Sequence, residues 1–448
     1  MEWKSSCKSI IYPVSFVHRS CSLLFWSLIT LLSLSGCQRE NKVNSTDEDL
    51  SFFYEVYVPH WGDQDALSNI IRQTSHIEAL FVDAVILSPL QEISERMKIG
   101  QLGSPYAVKD YKKLDPDLGT REDLLKLIDT LHNKGIRVLM DWFPATTAFD
   151  NELSEYSDSL TANEVFEDKH FFSFRDVALL DYKNEDVGEE MFSAMEFWVE
   201  EFGIDGFRIH YPGLVPISWL EEVRDMDDII LIAGEGSSVD TDVFDYYQRD
   251  TFFNAMLRAS EMEDPSPIRQ VIDWTEQTDG KGLYYTINYI RHSQVGSANT
   301  VFGSRYKMAF ALTQFLNGQT LIYGGQEIPV FRGVSIYQNR DIVWPEKTEM
   351  DVYRQLILLK NKNKALHAQL DPVLTYLDTR NDKVLAIKKK YKGHEVIGIF
   401  NFSGEKETIS FKEPIFNLNE YQMNRAIQIR ADEDLDLAPM QFLIFTNI

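Results

Sequence analysis

From residue 52 onward, short apolar runs alternate with longer stretches whose apolar residues recur every three or four positions. FFYEVYV (52–58), AVILSP (84–89) and IRVLMDW (136–142) read as strands, and the helical period covers 68–80 and 122–134. The second of these helices has a start signal in Thr120 and Asp123, which fit an N-cap pattern, and a stop signal in Gly135. The alternation continues through a helix at 189–202, a strand at 204–210, a helix at 217–224 and a strand at 228–236. A strand at 284–289, a helix at 307–317 and a strand at 319–325 follow. Repeated strand–helix pairs predict an α/β fold with a parallel sheet covered by helices, and about eight repeats predict closure into a (β/α)8 TIM barrel. The rhythm breaks between 143 and 184, a polar stretch that reads as a short inserted domain after strand 3. Beyond the helix at 351–366 the texture turns to strand-like runs separated by turn residues, which predicts a C-terminal all-β domain.

Composition narrows the choice of partner. The chain has 448 residues, 44% hydrophobic and 25% charged, long enough for one large domain and a smaller one. Its 69 acidic against 44 basic residues give a formal net charge of −25, a field that repels phosphate backbones and argues against nucleic acid. At the N-terminus Lys4, Lys8 and Arg19 precede the apolar run Leu23–Leu34, which ends in Leu-Ser-Gly-Cys at Cys37. A basic flank, a short apolar stretch and small residues are the parts of a secretory signal, and the run is shorter than the roughly 20 residues of a spanning helix. The ending resembles the bacterial lipoprotein signal, which implies lipidation of Cys37 and a place in a membrane. The implied organisation is a signal peptide over 1–36, a polar tether over 37–50, a barrel over 51–367 and a β-sandwich domain over 368–448. Localisation is then a bacterial membrane lipoprotein, in the outer membrane facing the periplasm or the cell surface. Removal of Cys7 and Cys21 would leave Cys37 alone, so the mature chain would rely on core burial in place of disulfides.

Several segments resemble the α-amylase family, glycoside hydrolase family 13, in that family's order. GSPYAVKDYKKLDPDLGTREDL (103–124) is similar to the segment leading out of the second strand, and DWFPATTAFD (141–150) to the third-strand motif D-x-V-x-N-H. GIDGFRIH (203–210) is similar to the fourth-strand motif G-F-R-x-D, AGEG (233–236) to the fifth-strand glutamate, TINYI (286–290) to the seventh-strand N-H-D and LIYGGQEI (321–328) to the eighth-strand segment. The resemblance runs from about residue 52 to the C-terminus and implies the same barrel.

It also implies a defined chemistry. Retaining glycoside hydrolysis uses two carboxyl groups roughly 5–5.5 Å apart, one attacking the anomeric carbon and one moving the proton; the family adds a third carboxylate. In this sequence the nucleophile position is His210, the acid position is Glu235 and the third carboxylate position is Ile290. Ala145 and Thr146 stand where the third-strand motif has Asn and His, and Tyr289 where N-H-D has His. Asp205, five residues before His210, is turned to the other face by strand alternation and cannot replace it. Asp141 matches the third-strand aspartate that supports the site, and Arg208, which in the family orients the nucleophile, is expected to pair with Asp141 or Glu235. Tyr106 matches the tyrosine that stacks on the sugar, and Asn288 the N-H-D asparagine. Trp142, Phe149, Tyr211 and Tyr289 are expected to add aromatic surface near the mouth. His60, His210 and His292 fall on different elements, so no metal site is expected, and no cofactor is implied.

Three functions remain open on this reading. The first is a catalytically inactive protein of α-glucan metabolism that binds an α-glucan or maltooligosaccharide through Tyr106, Asp141, Glu235 and Tyr289. The second is a weak or altered α-glucoside hydrolase or transglycosylase using Glu235. The third is a protein-interaction subunit of a membrane complex, beside glucan-uptake proteins.

Overall fold

Period-two alternation decides what each barrel strand presents to the inside and to the outside. The strands are β1 (Phe52–Tyr57), β2 (Ala84–Ser88), β3 (Arg137–Trp142), β4 (Gly206–Ile209), β5 (Ile230–Ala233), β6 (Tyr246–Gln248), β7 (Tyr285–Asn288) and β8 (Gln319–Tyr323). The structure, a computed structural model, describes residues 50–448 except 63, 158–175, 237–241, 278–284, 289–297, 329–334, 339–341, 343–349 and 422–424. The side chains of 285–288, 368, 417 and 425–427 also lie outside the described residues. The eight strands close in the order β1-β8-β7-β6-β5-β4-β3-β2, every neighbouring pair parallel. This is the α/β barrel that the strand–helix rhythm predicts.

The helices between them are α1 (Ala66–Ala79), α2 (Arg121–His132), α3 (Glu185–Phe202), α4 (Ile217–Arg224), α5 (Thr251–Met262), α6 (Ser266–Gln277), α7 (Ala298–Phe302), α8 (Tyr306–Thr313) and α9 (Met350–Lys362). Outward strand residues such as Tyr54, Val56, Val85, Val138, Phe207 and Leu231 pack with helix residues such as Ile70, Leu124, Leu127, Met191 and Trp198 in one core. Both faces of the strands whose side chains are described are covered, which is why those sequence runs are nearly all apolar. The expected N-cap of α2 is present as a full capping box between Thr120 and Asp123.

The barrel interior is built in two layers. Phe53, Ala84, Ile86, Leu139, Ile232, Tyr246 and Leu321 form an apolar plug in its lower half. One step further along the same strands come Glu55, Ser88, Asp141, Arg208 and Gln248, so the inner face changes from apolar to polar toward the C-terminal ends. Trp142 follows Asp141 and therefore points outward. It is fully buried, edge-on to Phe207 and beside Tyr111, and so contributes nothing to the mouth, contrary to the sequence expectation.

After β3 the chain forms a two-stranded antiparallel ladder of Thr146–Ala148 with Val177–Leu179, within the segment expected to be inserted. The C-terminal strands form a six-stranded sheet in the order 373–376, 384–391, 394–401, 442–446, 415–420 and 425–429, with a second two-stranded sheet of 407–409 and 435–437. Alternation again sorts its residues. Val384, Ala386, Ile397 and Phe445 face the small sheet through Ile409 and Leu437, whereas Leu385, Ile387, Val396 and Ile444 join the barrel's outer core. Among the described residues no helix is long and apolar enough to cross a membrane.

Candidate functional site

The C-terminal ends of the strands enclose a small pocket of about 40 Å³, lined by twelve residues drawn from five strands and from loops beyond the strand ends. Its position is the one where barrels of this kind carry their chemistry.

The floor is an ion-pair network. Asp141 on β3 and Arg208 on β4 are register partners on adjacent strands, so their side chains meet inside the barrel. Arg208 donates from Nε to Asp141 Oδ1 at 2.5 Å and from Nη2 to Asp141 Oδ2 at 2.7 Å, a two-pronged clamp. Its remaining nitrogen, Nη1, donates to Gln248 Oε1 at 2.9 Å and Glu55 Oε2 at 3.3 Å. Burial alone would lower the Arg208 pKa, but the charges of Asp141 and Glu55 push it well above its ordinary value. Burial likewise pushes the Asp141 carboxyl up, and Arg208 and His210 together reverse this, holding it well below the usual carboxylate range. Arg208 therefore pairs with Asp141, one of its two expected partners, and with Glu55 in place of Glu235.

His210 stands one residue beyond β4, and its backbone N–H donates to Trp142 O at 2.9 Å. Its ring stacks on Phe143, with centroids 4.8 Å apart and planes at 19°. Nδ1 accepts from the Glu235 backbone N–H at 3.3 Å, which leaves the ring proton of a neutral imidazole on Nε2. Nε2 lies 3.2 Å from Asp141 Oδ1 without hydrogen-bond alignment, although the side chain is almost fully buried. The position expected to attack thus carries a flat, stacked imidazole over a carboxylate that is already committed to Arg208.

Glu235 is in the turn after β5, at the mouth as expected. Its backbone carbonyl accepts from the Tyr211 N–H at 2.7 Å, and Oε2 accepts from the Tyr106 hydroxyl at 3.3 Å. Burial and the nearby Glu235 charge raise the Tyr106 pKa well above its ordinary value, so the phenol remains a donor. Gly236 is required next: its φ is +71°, and a Cβ there would lie 2.2 Å from Tyr211 Cδ1. Tyr106 packs edge-on to Phe143 at 4.8 Å and 6.0 Å from Tyr211, giving an aromatic wall beside Glu235. Phe149 is part-exposed and is absent from the lining, while Tyr211 is buried against Tyr106.

The structure brings Tyr106, Asp141, Arg208, His210 and Glu235 to one pocket. Tyr289, Ile290 and His292 lie outside the described residues, as does Cys37 with the signal and tether segments. Asp205 sits at the opposite end of β4, where it accepts from the Val138 N–H and from His132 Nε2, each at 2.7 Å. His60 contacts Tyr323 Oη at 3.1 Å and the Ser335 carbonyl at 3.1 Å. Among the described residues no three His, Cys, Asp or Glu side chains are placed to hold a metal. Sequence reasoning missed Glu55, Tyr57, Ser88, Phe143, Gln248 and Ile336. A signal existed for Glu55, the one charged residue inside FFYEVYV. Gln248 lies on a three-residue strand whose run is too short to stand out.

Comparison with known proteins points the same way as this geometry. A family profile described as the catalytic domain of alpha amylase matches residues 11–179. Alpha-amylase 2 of Dictyoglomus thermophilum is 22% identical over 411 residues, covering 79% of this chain and 65% of that protein. A cyclomaltodextrinase of a Bacillus species is 25% identical over 395 residues, covering 76% of this chain and 68% of that protein. Among solved structures, a maltogenic alpha-amylase of Thermotoga neapolitana superposes with a TM-score of 0.76 at 18% identity, covering 88% of this chain and 98% of that one. An alpha-amylase of Lactobacillus plantarum superposes at 0.74 with 19% identity, covering 89% and 99%. The chain thus spans just under two thirds of the length of the first of these relatives.

Proposed function

We propose that this chain, which has the fold of the α-amylase family, is a lipid-anchored protein that binds an α-glucan without hydrolysing it. The observation that carries the reading is His210. On the sequence resemblance its position is the one where a retaining mechanism needs a free carboxylate, and its imidazole is stacked on Phe143 and 3.2 Å from Asp141 Oδ1. Asp141 cannot take over the attack, because both its oxygens are clamped by Arg208 and its lone pairs face a guanidinium. At the third carboxylate position Ile290 has no charge to stabilise an oxocarbenium-like state. Losing a positioned group of this kind commonly costs about 3–4 kcal/mol of transition-state stabilisation.

Binding makes lighter demands. Tyr106 supplies an aromatic wall, and Glu235 supplies an acceptor for sugar hydroxyls. The relatives named alpha-amylase and cyclomaltodextrinase support an α-linked glucan as the ligand class. The lipoprotein-like ending at Cys37 supports a membrane-held protein facing the periplasm or the cell surface, beside proteins that import glucans. Titration of the chain with a linear maltooligosaccharide in a calorimeter tests the proposal. Saturable heat that returns to baseline after each injection is expected, and heat that continues as bonds are cleaved overturns it.

One observation favours a second reading, a weak hydrolase or transglycosylase. Glu235 stands at the acid position that the sequence resemblance implies, and Tyr106 donates to it at 3.3 Å. That reading requires Glu235→Gln to abolish any turnover the native chain shows, and unchanged turnover in the variant dismisses it.

A further inference from the structure

The charge that dominates the chain is reversed on one surface. Residues 360–373 and 388–395 carry seven lysines against two acids, Asp371 and Glu395, in a sequence with 69 acidic and 44 basic residues. Elsewhere most described lysines answer a carboxylate, as Lys98, Lys109, Lys112, Lys113 and Lys134 do. Among the described residues Lys362, Lys364, Lys388 and Lys392 have no carboxylate partner, while Lys390 is paired with Glu395 at 3.0 Å.

The fold gathers these lysines at one end of the barrel. Lys360, on the last turn of α9, donates to Gly318 O at 2.7 Å and lies 5.7 Å from the ring centre of Phe52, so α9 ends where β8 and β1 begin. Asn363 and Lys364 come next and bond to the hairpin of 384–391 with 394–401. Asn363 Nδ2 donates to Glu395 O at 3.2 Å, and the Lys364 N–H donates to His394 Nδ1 at 3.2 Å. Lys392 is exposed in the turn of that hairpin. Lys388 and Lys390 fall on the sheet face opposite to Lys389, which is turned to the barrel. Val373, the register partner of Lys390 on the neighbouring strand, is 68% exposed.

The chain enters at this same end. Leu50 precedes β1, and its N–H donates to Tyr246 Oη at 3.1 Å. Twelve residues separate it from Cys37, a span of at most roughly 45 Å, so an anchor at Cys37 holds this end of the barrel toward the lipid. The pocket is at the other end of the strands. We infer that Lys362, Lys364, Lys388, Lys390 and Lys392 form a face that rests on an anionic phospholipid surface, with Val373 among the headgroups and the pocket turned away. Each lysine near such a surface adds to the attraction, whereas the net charge of −25 repels the rest of the molecule from it. The inference rests on the proposed lipid anchor and is independent of the glucan.

The full-length chain, purified from bacterial membranes, is placed on vesicles of phosphatidylcholine alone or with about 30% phosphatidylglycerol. A water-soluble reagent that acylates amines is added, and the rate at each lysine is read by mass spectrometry. On the anionic vesicles Lys362, Lys364 and Lys392 are expected to react roughly threefold slower or more, with Lys126 and Lys406 unchanged and the difference lost in about 0.5 M salt. Equal rates at the three lysines on both vesicles, or the same slowing at Lys126 and Lys406, overturn the face. The mass of the N-terminal peptide reads the anchor separately: no acyl group on Cys37 overturns the anchor and, with it, the inference.

Discussion

Arg208 is fully buried, and a buried guanidinium persists only where its charge and its donors are answered. Asp141 supplies most of that answer. Asp141→Asn removes the clamping charge and leaves Arg208 with Glu55 at 3.3 Å and the neutral Gln248, so a loss of about 3–5 kcal/mol is expected in urea unfolding. The pH profile follows from the same pair. Because the Asp141 carboxyl is held below its unfolded value, the native state binds fewer protons in acid, and stability falls as pH drops through the carboxylate range. The contribution is complete above about pH 4 and is lost toward the depressed native value. Between pH 5 and 3 the native chain should therefore lose more stability than Asp141→Asn, as read by the shift of the urea midpoint. A repair experiment addresses the chemistry directly. On the proposed reading, His210→Asp combined with Ile290→Asp would return the carboxylates a retaining mechanism needs, and release of reducing ends from maltohexaose is the expected outcome. A folded but silent double variant would place the obstacle in the shape of the pocket and not in its missing groups.

Among the elements, α2 offers a self-contained test. Its capping box satisfies orphan amides at both Thr120 and Asp123, so Thr120→Ala should lower stability by about 1 kcal/mol without changing ligand affinity, measured by urea unfolding and calorimetry together. The turn after β5 makes the opposite prediction. Gly236→Ala forces a methyl group into Tyr211, so it should weaken ligand binding by displacing Glu235 more than it weakens the fold. These elements also show what the chain revealed in advance. Strands β1 to β5, β7 and β8 were legible because covered parallel strands are continuous apolar runs, and α2 because its cap is written in side chains. Tyr246–Gln248 was not legible: three residues within DVFDYYQ carry no period, and their strand character comes from pairing with β5 and β7. The helices α5 and α6 were passed over with it. At the site, His210, Asp141 and Arg208 could be placed from motif order, whereas Glu55 and Ile336 reach the pocket only through closure of the barrel and the path of a loop. Trp142 was misplaced because its neighbour's inward direction was not carried one residue further.

At the scale of the whole molecule, the barrel and the C-terminal sheet share a core, and two buried lysines sit near their junction. Lys389 donates to Glu276 Oε1 at 3.0 Å and Asn317 Oδ1 at 2.9 Å, linking the sheet to α6 and to the loop before β8. Lys360 on α9 donates to Gly318 O at 2.7 Å. Burial, with a smaller push from the Lys389 charge, lowers the Lys360 pKa to about 7. The native state therefore releases a proton that the unfolded chain keeps between about pH 7 and the ordinary lysine value. Stability should rise with pH across that window, by about 1.4 kcal/mol per pH unit for the one proton at most. Lys360→Met removes that slope. Urea midpoints at pH 7 and 9 check it, and an equal rise in both proteins would show that another group is responsible.

The two-layer interior of the barrel has a consequence for how such a chain changes over generations. The contacts that close the cylinder lie in the apolar plug of Phe53, Ile86, Leu139, Ile232 and Leu321 and on the outer strand faces, while the polar residues above it form a separate tier. Replacements in that upper tier can remove a reaction without opening the cylinder below. A lineage can therefore drift out of catalysis while every descendant still folds, and selection for recognition alone begins from a receptor that is already built.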